Sequence, residues 1–211
     1  MEVTAAIRQR RSVKQYDPNH RLTEEEIRHL FGHAILSPTS FNMQNWHFVA
    51  VTDREVQTQL CAAAWNQEQV RDCSLTLVIT GVWEAWKDMS RQLRHAPENV
   101  QEMFGKMIPG FYSGNDALER DECVRSVGIA GQTVMLLAKD MGYDSCPMIG
   151  FDPAKVSEVL GLPETHPPLL MLTIGKALSP ARPRMGLLSF DEAVSMDRYG
   201  NHSLRGEVDE S

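Results

Sequence analysis

The feature that most constrains this chain is the run Leu75-Thr76-Leu77-Val78-Ile79-Thr80. Its apolar residues follow one another without alternation. That is the pattern of a strand buried on both faces, not of one with a wet side. A strand of this kind needs a packing layer above and below it. Two more strands read from the sequence over His47–Thr52 and Leu169–Ile174.

Helices separate these strands. A short one reads over 3–9. Thr23-Glu24-Glu25-Glu26 is a capping box, and Ile27, Leu30, Phe31, Ala34 and Ile35 then share one helical face until Ser37-Pro38 stops it. Asp53 caps a helix with Val56, Leu60 and Ala64 on its apolar side. The longest helix runs from Ala117 to Met141, with Gly142 as its C-terminal cap. Gly128 and Gly131 lie inside it and predict close approach by another helix or a ligand. The stretch from Gly142 to Phe151 reads as a connecting segment with turn residues. Asp152-Pro153 starts a helix that Gly161 ends, and Ser189 to Glu192 opens another with a capping box. Strands and helices alternate without a regular βαβ rhythm, which predicts an α+β layered fold. Neither a repeat nor a low-complexity linker divides residues 1–211, so one domain is expected. Within it, 83–115 holds Trp83, Trp86, Met89, Met103, Met107 and Pro109 and reads as helix and loop partly covering a cleft. Residues 195–211 form a C-terminal tail, polar from Gly200 onward.

Charge narrows the function. The 211 residues carry 28 acidic and 21 basic side chains, a net charge of −7. An acidic chain gains little from counterion release, so nucleic acid is not an expected partner. Cys61, Cys73, Cys123 and Cys146 form no CxxC pair, and read as four reduced thiols. The first residues lack the apolar core of a signal peptide, and no apolar run is long enough to cross a bilayer. A cytoplasmic protein without membrane contact is expected. GxGxxG, P-loop and GxSxG motifs are absent from the sequence, and His29 and His33 lie opposite the apolar stripe of their helix.

Against the acidic background, Arg8, Arg10, Arg11 and Lys14 stand out, with no acid between Glu2 and Asp17. Such a cluster suits a small anion. Pro38-Thr39-Ser40-Phe41-Asn42-Met43-Gln44-Asn45-Trp46 offers amides and hydroxyls in a loop after a buried helix. Asn42 and Gln44 are suited to the donor–acceptor edge of a flat heterocycle, although turn capping would also employ them. Trp46 is equally suited to a core position. Arg182 and Arg184 form a second cationic pair able to converge on the same phosphate. Lys14 near the ring edge would stabilise negative charge formed on reduction. In the Pro147-Met148-Ile149-Gly150 turn, glycine lets a backbone N–H approach a ring nitrogen. Together these imply a phosphorylated cofactor with an aromatic ring, and an enzyme.

These motifs resemble those of the nitroreductase family of flavin enzymes, over nearly the whole chain. Arg10-Arg11-Ser12-Val13-Lys14-Gln15-Tyr16 is similar to the family's Arg-Arg/His-Ser-x-Arg/Lys-x-Tyr/Phe. Pro38 to Trp46 resembles Pro-Ser/Thr-Ser-x-Asn-x-Gln-Pro-Trp, with Asn45 in place of the second proline. Pro147 to Phe151 resembles Pro-x-x-Gly-Phe. An apolar strand ending in Gly175-Lys176 and followed by Arg182 and Arg184 completes the order. The resemblance implies a mixed, mostly antiparallel sheet flanked by helices, and a homodimer with FMN at its interface and the C-terminal segment crossing to the partner. It assigns FMN phosphate and ribityl oxygens to Arg10, Arg11, Ser12, Arg182 and Arg184, and the pyrimidine end of the flavin to Lys14. Pro38, Thr39, Ser40, Asn42 and Gln44 would come from the other subunit. Asn66 and Gln69 resemble a segment that contacts the ring, where some relatives carry lysine in place of Gln69. Pro147, Met148, Ile149 and Gly150 would face the flavin. The implied activity is NAD(P)H-dependent reduction of a nitroaromatic, quinone or similar electron-poor substrate in ping-pong order, with no side chain required as general acid. The alternatives are another flavin reaction on this scaffold (dehalogenation, enone reduction or flavin-consuming chemistry) and a flavin-binding protein without turnover.

Overall fold

The computed structural model describes residues 1–207. Two compact units divide the chain, Met1–Pro180 and Ala181–Ser211.

The first unit is built on one sheet. Its elements in chain order are α1 (Val3–Gln9), α2 (Glu24–Ala34), β1 (Trp46–Val51), α3 (Arg54–Ala63), α4 (Gln69–Asp72), β2 (Leu75–Gly81), α5 (Glu98–Tyr112), α6 (Asp116–Asp140), β3 (Asp144–Met148), α7 (Pro153–Leu160) and β4 (Pro168–Gly175). The strand order is β1-β2-β4-β3, and every neighbouring pair is antiparallel. β2 is central, and all seven of its residues are buried. On one face Leu75, Leu77 and Ile79 pack with Leu30 and Ala34 of α2 and with Val127, Ala130 and Val134 of α6. On the other, Val78 and Met171 pack with Leu60 of α3 and Val156 of α7. Each such side chain withdrawn from water contributes about 1.5–3 kcal/mol, so β2 anchors both layers. This is the α+β layered architecture that the sequence predicts.

Local signals set the helix ends. The Thr23–Glu26 capping box forms with both of its reciprocal hydrogen bonds. The Asp53 carboxylate caps α3, the Asp152 carboxylate caps α7, and Gly161 closes α7 at φ 61°. Gly131 lets α6 touch the sheet: a methyl there would come 2.5 Å from Leu170 Cδ2. Gly128 meets nothing within 4 Å.

β3 departs from the expectation. The segment after Gly142 forms an edge strand, not a simple connection, with Ser145 opposite Ile174 and Pro147 opposite Leu172. An edge position tolerates Pro147, which has no N–H for a second neighbour. The outer side of β3 also carries the N-terminal segment. Ser12 bridges to Ser145 in parallel sense, and the Val13 N–H donates to the Ser145 carbonyl at 3.1 Å. Val13 and Tyr16 are buried, and the Tyr16 hydroxyl donates to the Thr173 carbonyl at 3.2 Å. Burial pushes the Tyr16 phenol far above its ordinary range.

The second unit holds one short helix among its described residues, α8 (Phe190–Ala193), opened by the Ser189–Glu192 capping box. Gly206 lies against the Phe190 ring, where a methyl would come within 2.8 Å of ring carbon. Residues 208–211, the end of the expected C-terminal tail, lie outside the described residues.

Candidate cofactor site

Pinning Val13 and Tyr16 inward leaves Ser12 and Lys14 exposed, with Arg10 and Arg11 half-buried. The cationic segment is therefore held along the outer edge of β3, and β3 ends in the Met148–Gly150 turn.

A second segment reaches that turn from the end of α3. The chain leaves α3 through Trp65 and Asn66, both left-handed at φ 55° and 57°. The Asn66 N–H donates to the Cys61 carbonyl at 2.9 Å, which tightens the turn. Gln67 then reaches across: its Nε2 donates to the Gly150 carbonyl at 2.9 Å. The buried Gln69 side chain donates through Nε2 to Gln67 Oε1 at 3.0 Å and lies 3.6 Å from Met148 Sδ. The Trp65 ring covers Gly150, where a methyl would come 3.1 Å from Trp65 Cζ3 and 3.2 Å from Gln67 Nε2. Ile149 is 82% exposed at the tip of the turn. The structure thus joins Asn66–Gln69 to Met148–Gly150, and sets Arg10–Lys14 against the same strand at Ser145.

The Pro38–Gln44 stretch is engaged elsewhere within the chain. Its backbone is left-handed at Phe41, Asn42 and Gln44, with φ of 53°, 55° and 51°. Among the described residues, seven other than glycine have positive φ, and five of them fall in 41–44 and 65–66. Such conformations cost of order 1–3 kcal/mol each, and they persist where packing imposes them, commonly at binding sites. The Thr39 hydroxyl accepts from the Gln44 N–H at 2.8 Å, and Gln44 Nε2 donates to the Asn42 carbonyl at 3.3 Å. Asn42 Nδ2 donates to the Gln92 carbonyl at 3.1 Å. Pro38 is exposed, and Ser40 is half-buried. Arg182 and Arg184 belong to the second unit, in the irregular stretch before α8.

Thiol chemistry is not favoured. Burial pushes the Cys61 thiol, beneath the 65–69 turn, above its ordinary value, and pushes Cys73 and Cys123 to about 11. These thiols are protonated at neutral pH and are poor nucleophiles. No group of three or more metal-ligating side chains occurs among the described residues.

Sequence reading alone missed Trp65, Gln67, Phe41 and Gln92. The amide run Asn66-Gln67-Glu68-Gln69 signals Gln67 weakly, while Gln92 has no local signal at all.

Comparison with known proteins shows the family. The profile of the Nitroreductase family matches residues 7–176. Protein DrgA of Synechocystis sp. PCC 6803 is 47% identical over 177 residues, covering 83% of this chain and 84% of its own. The oxygen-insensitive NADPH nitroreductase of Helicobacter pylori 26695 is 30% identical over 195 residues, covering 83% of this chain and 87% of its own. A crystal structure from Exiguobacterium sibiricum 255-15, solved in complex with FMN, superposes with a TM-score of 0.78 at 26% identity, covering 89% of this chain and 94% of that one. With the antiparallel sheet, the cationic segment along β3 and the Gly150 turn in place, the chain belongs to the nitroreductase family.

Proposed function

We propose that this protein is an FMN-dependent NAD(P)H oxidoreductase working as a cytoplasmic homodimer. The observation that carries this reading is the joining of Asn66–Gln69 to Met148–Gly150 at the end of β3, with Arg10–Lys14 paired to the same strand at Ser145. The donor set fits FMN. Guanidinium forks and a hydroxyl at Arg10, Arg11 and Ser12 suit the phosphate and ribityl oxygens. Side-chain amides at Asn66 and Gln69 suit the polar edge of the ring. Gly150 is the residue that lets Trp65 and Gln67 lie close against the turn, since a methyl there would press on both.

The chemistry that FMN supplies when bound is transfer of an electron pair from NAD(P)H to an electron-poor acceptor such as a nitroaromatic, quinone or enone, the two visiting in turn. The protein's part is to bind, orient and exclude water. Lys14 brings a cation toward the pyrimidine end, and Trp65 shields the turn. No side chain is assigned as general acid, because solvent supplies the proton.

A second subunit completes the site in this reading. Val3 and Ile7 of α1 and Val124 and Ile129 of α6 are large exposed apolar residues. Beside the two α6 residues, Gly128 has open space above it, which suits close approach by a partner helix. Thr39, Ser40, Asn42 and Gln44 then serve the partner's cluster, and the C-terminal segment crosses over.

The test is a visible spectrum of the purified protein, followed by NADPH or NADH addition without oxygen. A yellow protein with flavin bands that bleach is expected. A colourless protein that takes up no added FMN would sink the assignment.

A further inference from the structure

We propose that Gln92, in the 83–115 segment, is a positioning residue for the 40–44 loop, so that FMN affinity is set partly from a segment that never needs to touch the cofactor. The proposal rests on the FMN reading above. It starts from the loop's backbone, which is left-handed at three of its five residues. Neither phenylalanine nor glutamine favours that conformation, so something outside the loop must impose it.

The 83–115 segment holds the loop at three consecutive residues, Phe41, Asn42 and Met43. The Phe41 ring meets Phe104 edge-on at 5.5 Å and Phe111 at 5.6 Å between centroids. Met43 is buried in a cluster with Met89, Leu93, Ile108 and Tyr112. Gln92 contributes from both its main chain and its side chain. Its carbonyl accepts from Asn42 Nδ2 at 3.1 Å, and its Nε2 donates to the Met43 carbonyl at 3.3 Å. Asn42 is thereby fixed at its side chain and Met43 at its backbone, by one residue fifty positions along the chain.

The side chain is the part that can be tested. Gln92→Met keeps the length and apolar volume but removes the donor to Met43. Gln92→Ala removes the packing as well. Gln101→Ala is the control: Gln101 Nε2 donates to the Ala96 carbonyl at 2.8 Å, within the same segment and away from the loop. Two quantities are read on the full chain. One is hydrogen exchange at the Asn42, Met43 and Gln44 amides, which are bonded to the Thr39 carbonyl, the Ser40 carbonyl and the Thr39 hydroxyl. The other is FMN affinity of the apoprotein by fluorescence titration.

Gln92→Met is expected to speed exchange at those amides and to weaken FMN binding by about five- to tenfold, the size of one lost hydrogen bond. Gln101→Ala is expected to change neither. Unchanged exchange in Gln92→Met overturns the proposal, and so does faster exchange with unchanged FMN affinity. Equal effects from Gln101→Ala would mean general loosening of the segment, which also overturns it. A wild-type protein that binds no FMN instead sinks the functional reading, and with it any cofactor for Gln92 to position.

Discussion

Gln67 Nε2 donates to the Gly150 carbonyl at 2.9 Å, across 83 residues of sequence. That bond and the Trp65 ring fix the turn after β3 from outside. Gly150→Ala adds a methyl 3.1 Å from Trp65 and 3.2 Å from Gln67 Nε2. Both neighbours can give by a few tenths of an ångström, so folding survives while the turn shifts. The thermal midpoint is expected to move by less than about 3 °C, whereas the FMN dissociation constant rises by roughly tenfold. Differential scanning fluorimetry and flavin fluorescence titration check the two halves. An unchanged FMN affinity would separate this turn from the cofactor.

Glu26 ties α2 to the start of β3. Its carboxylate closes the capping box with Thr23 and accepts from the Tyr143 hydroxyl at 2.5 Å. The Tyr143 and Thr23 bonds hold the Glu26 carboxyl below its ordinary value, while burial and the Glu26 charge push the Tyr143 phenol up to about 12. A carboxyl depressed in the folded state adds stability at pH values above its unfolded pKa, about 4.3. That stability is lost as pH falls through the lower folded value. Glu26→Gln keeps the box but weakens the Tyr143 bond, so about 1 kcal/mol is expected to go at pH 7. In urea titrations the gap between wild type and variant should close as pH drops below about 4. A gap that persists there would assign the loss to packing instead.

What was legible in the sequence was what short-range chemistry decides. The Thr23–Glu26 box, the Asp152 cap and Gly161 act within four residues of themselves, and each appears where the pattern places it. β2 was legible because a strand buried on both faces leaves no polar alternation. β3 was not, because Ser145, Cys146 and Pro147 carry turn-like composition and form a strand only with β4 beside them. At the candidate site, the residue types in 10–14, 66–69 and 147–150 suggested binding; the fold joins the last two and pairs the first with β3 at Ser145. The mutual bonds that hold them were hidden. Gln67 acquires its role from Gly150, and Phe41 takes φ 53° against its own preference because Phe104 and Phe111 receive its ring.

Arg11 lies on the segment that Val13 and Tyr16 pin to the sheet. Its backbone is fixed by neighbours that do not depend on its own side chain, so Arg11→Ala is expected to leave the fold intact. If its guanidinium serves the FMN phosphate, a charged hydrogen bond worth about 1.5–3 kcal/mol disappears. The FMN dissociation constant should then rise by roughly ten- to a hundredfold, with the weakening less pronounced in high salt because screening already reduces the wild-type interaction. Riboflavin, which lacks the phosphate, should bind both proteins alike. Equal loss for FMN and riboflavin would move Arg11 away from the phosphate.

Gln69 offers a test of electrostatics separate from affinity. It is a buried neutral amide, bonded to Gln67 and lying against Met148. Reduction adds electrons to a bound flavin, and a nearby positive charge favours the reduced state. Gln69→Lys is therefore expected to raise the midpoint potential of the bound cofactor. About 1.4 kcal/mol of preferential stabilisation corresponds to roughly 30 mV for a two-electron couple. The sign is fixed by the charge, while burial of the new ammonium should lower thermal stability as its desolvation cost. Dye-equilibrated spectroelectrochemistry reads the potential, and Gln69→Met, which removes the amide without adding charge, controls for the altered packing. A rise in Gln69→Lys that Gln69→Met does not share would put position 69 within electrostatic reach of the ring. Equal shifts in both variants would show that the amide's packing, not charge at this position, sets the potential.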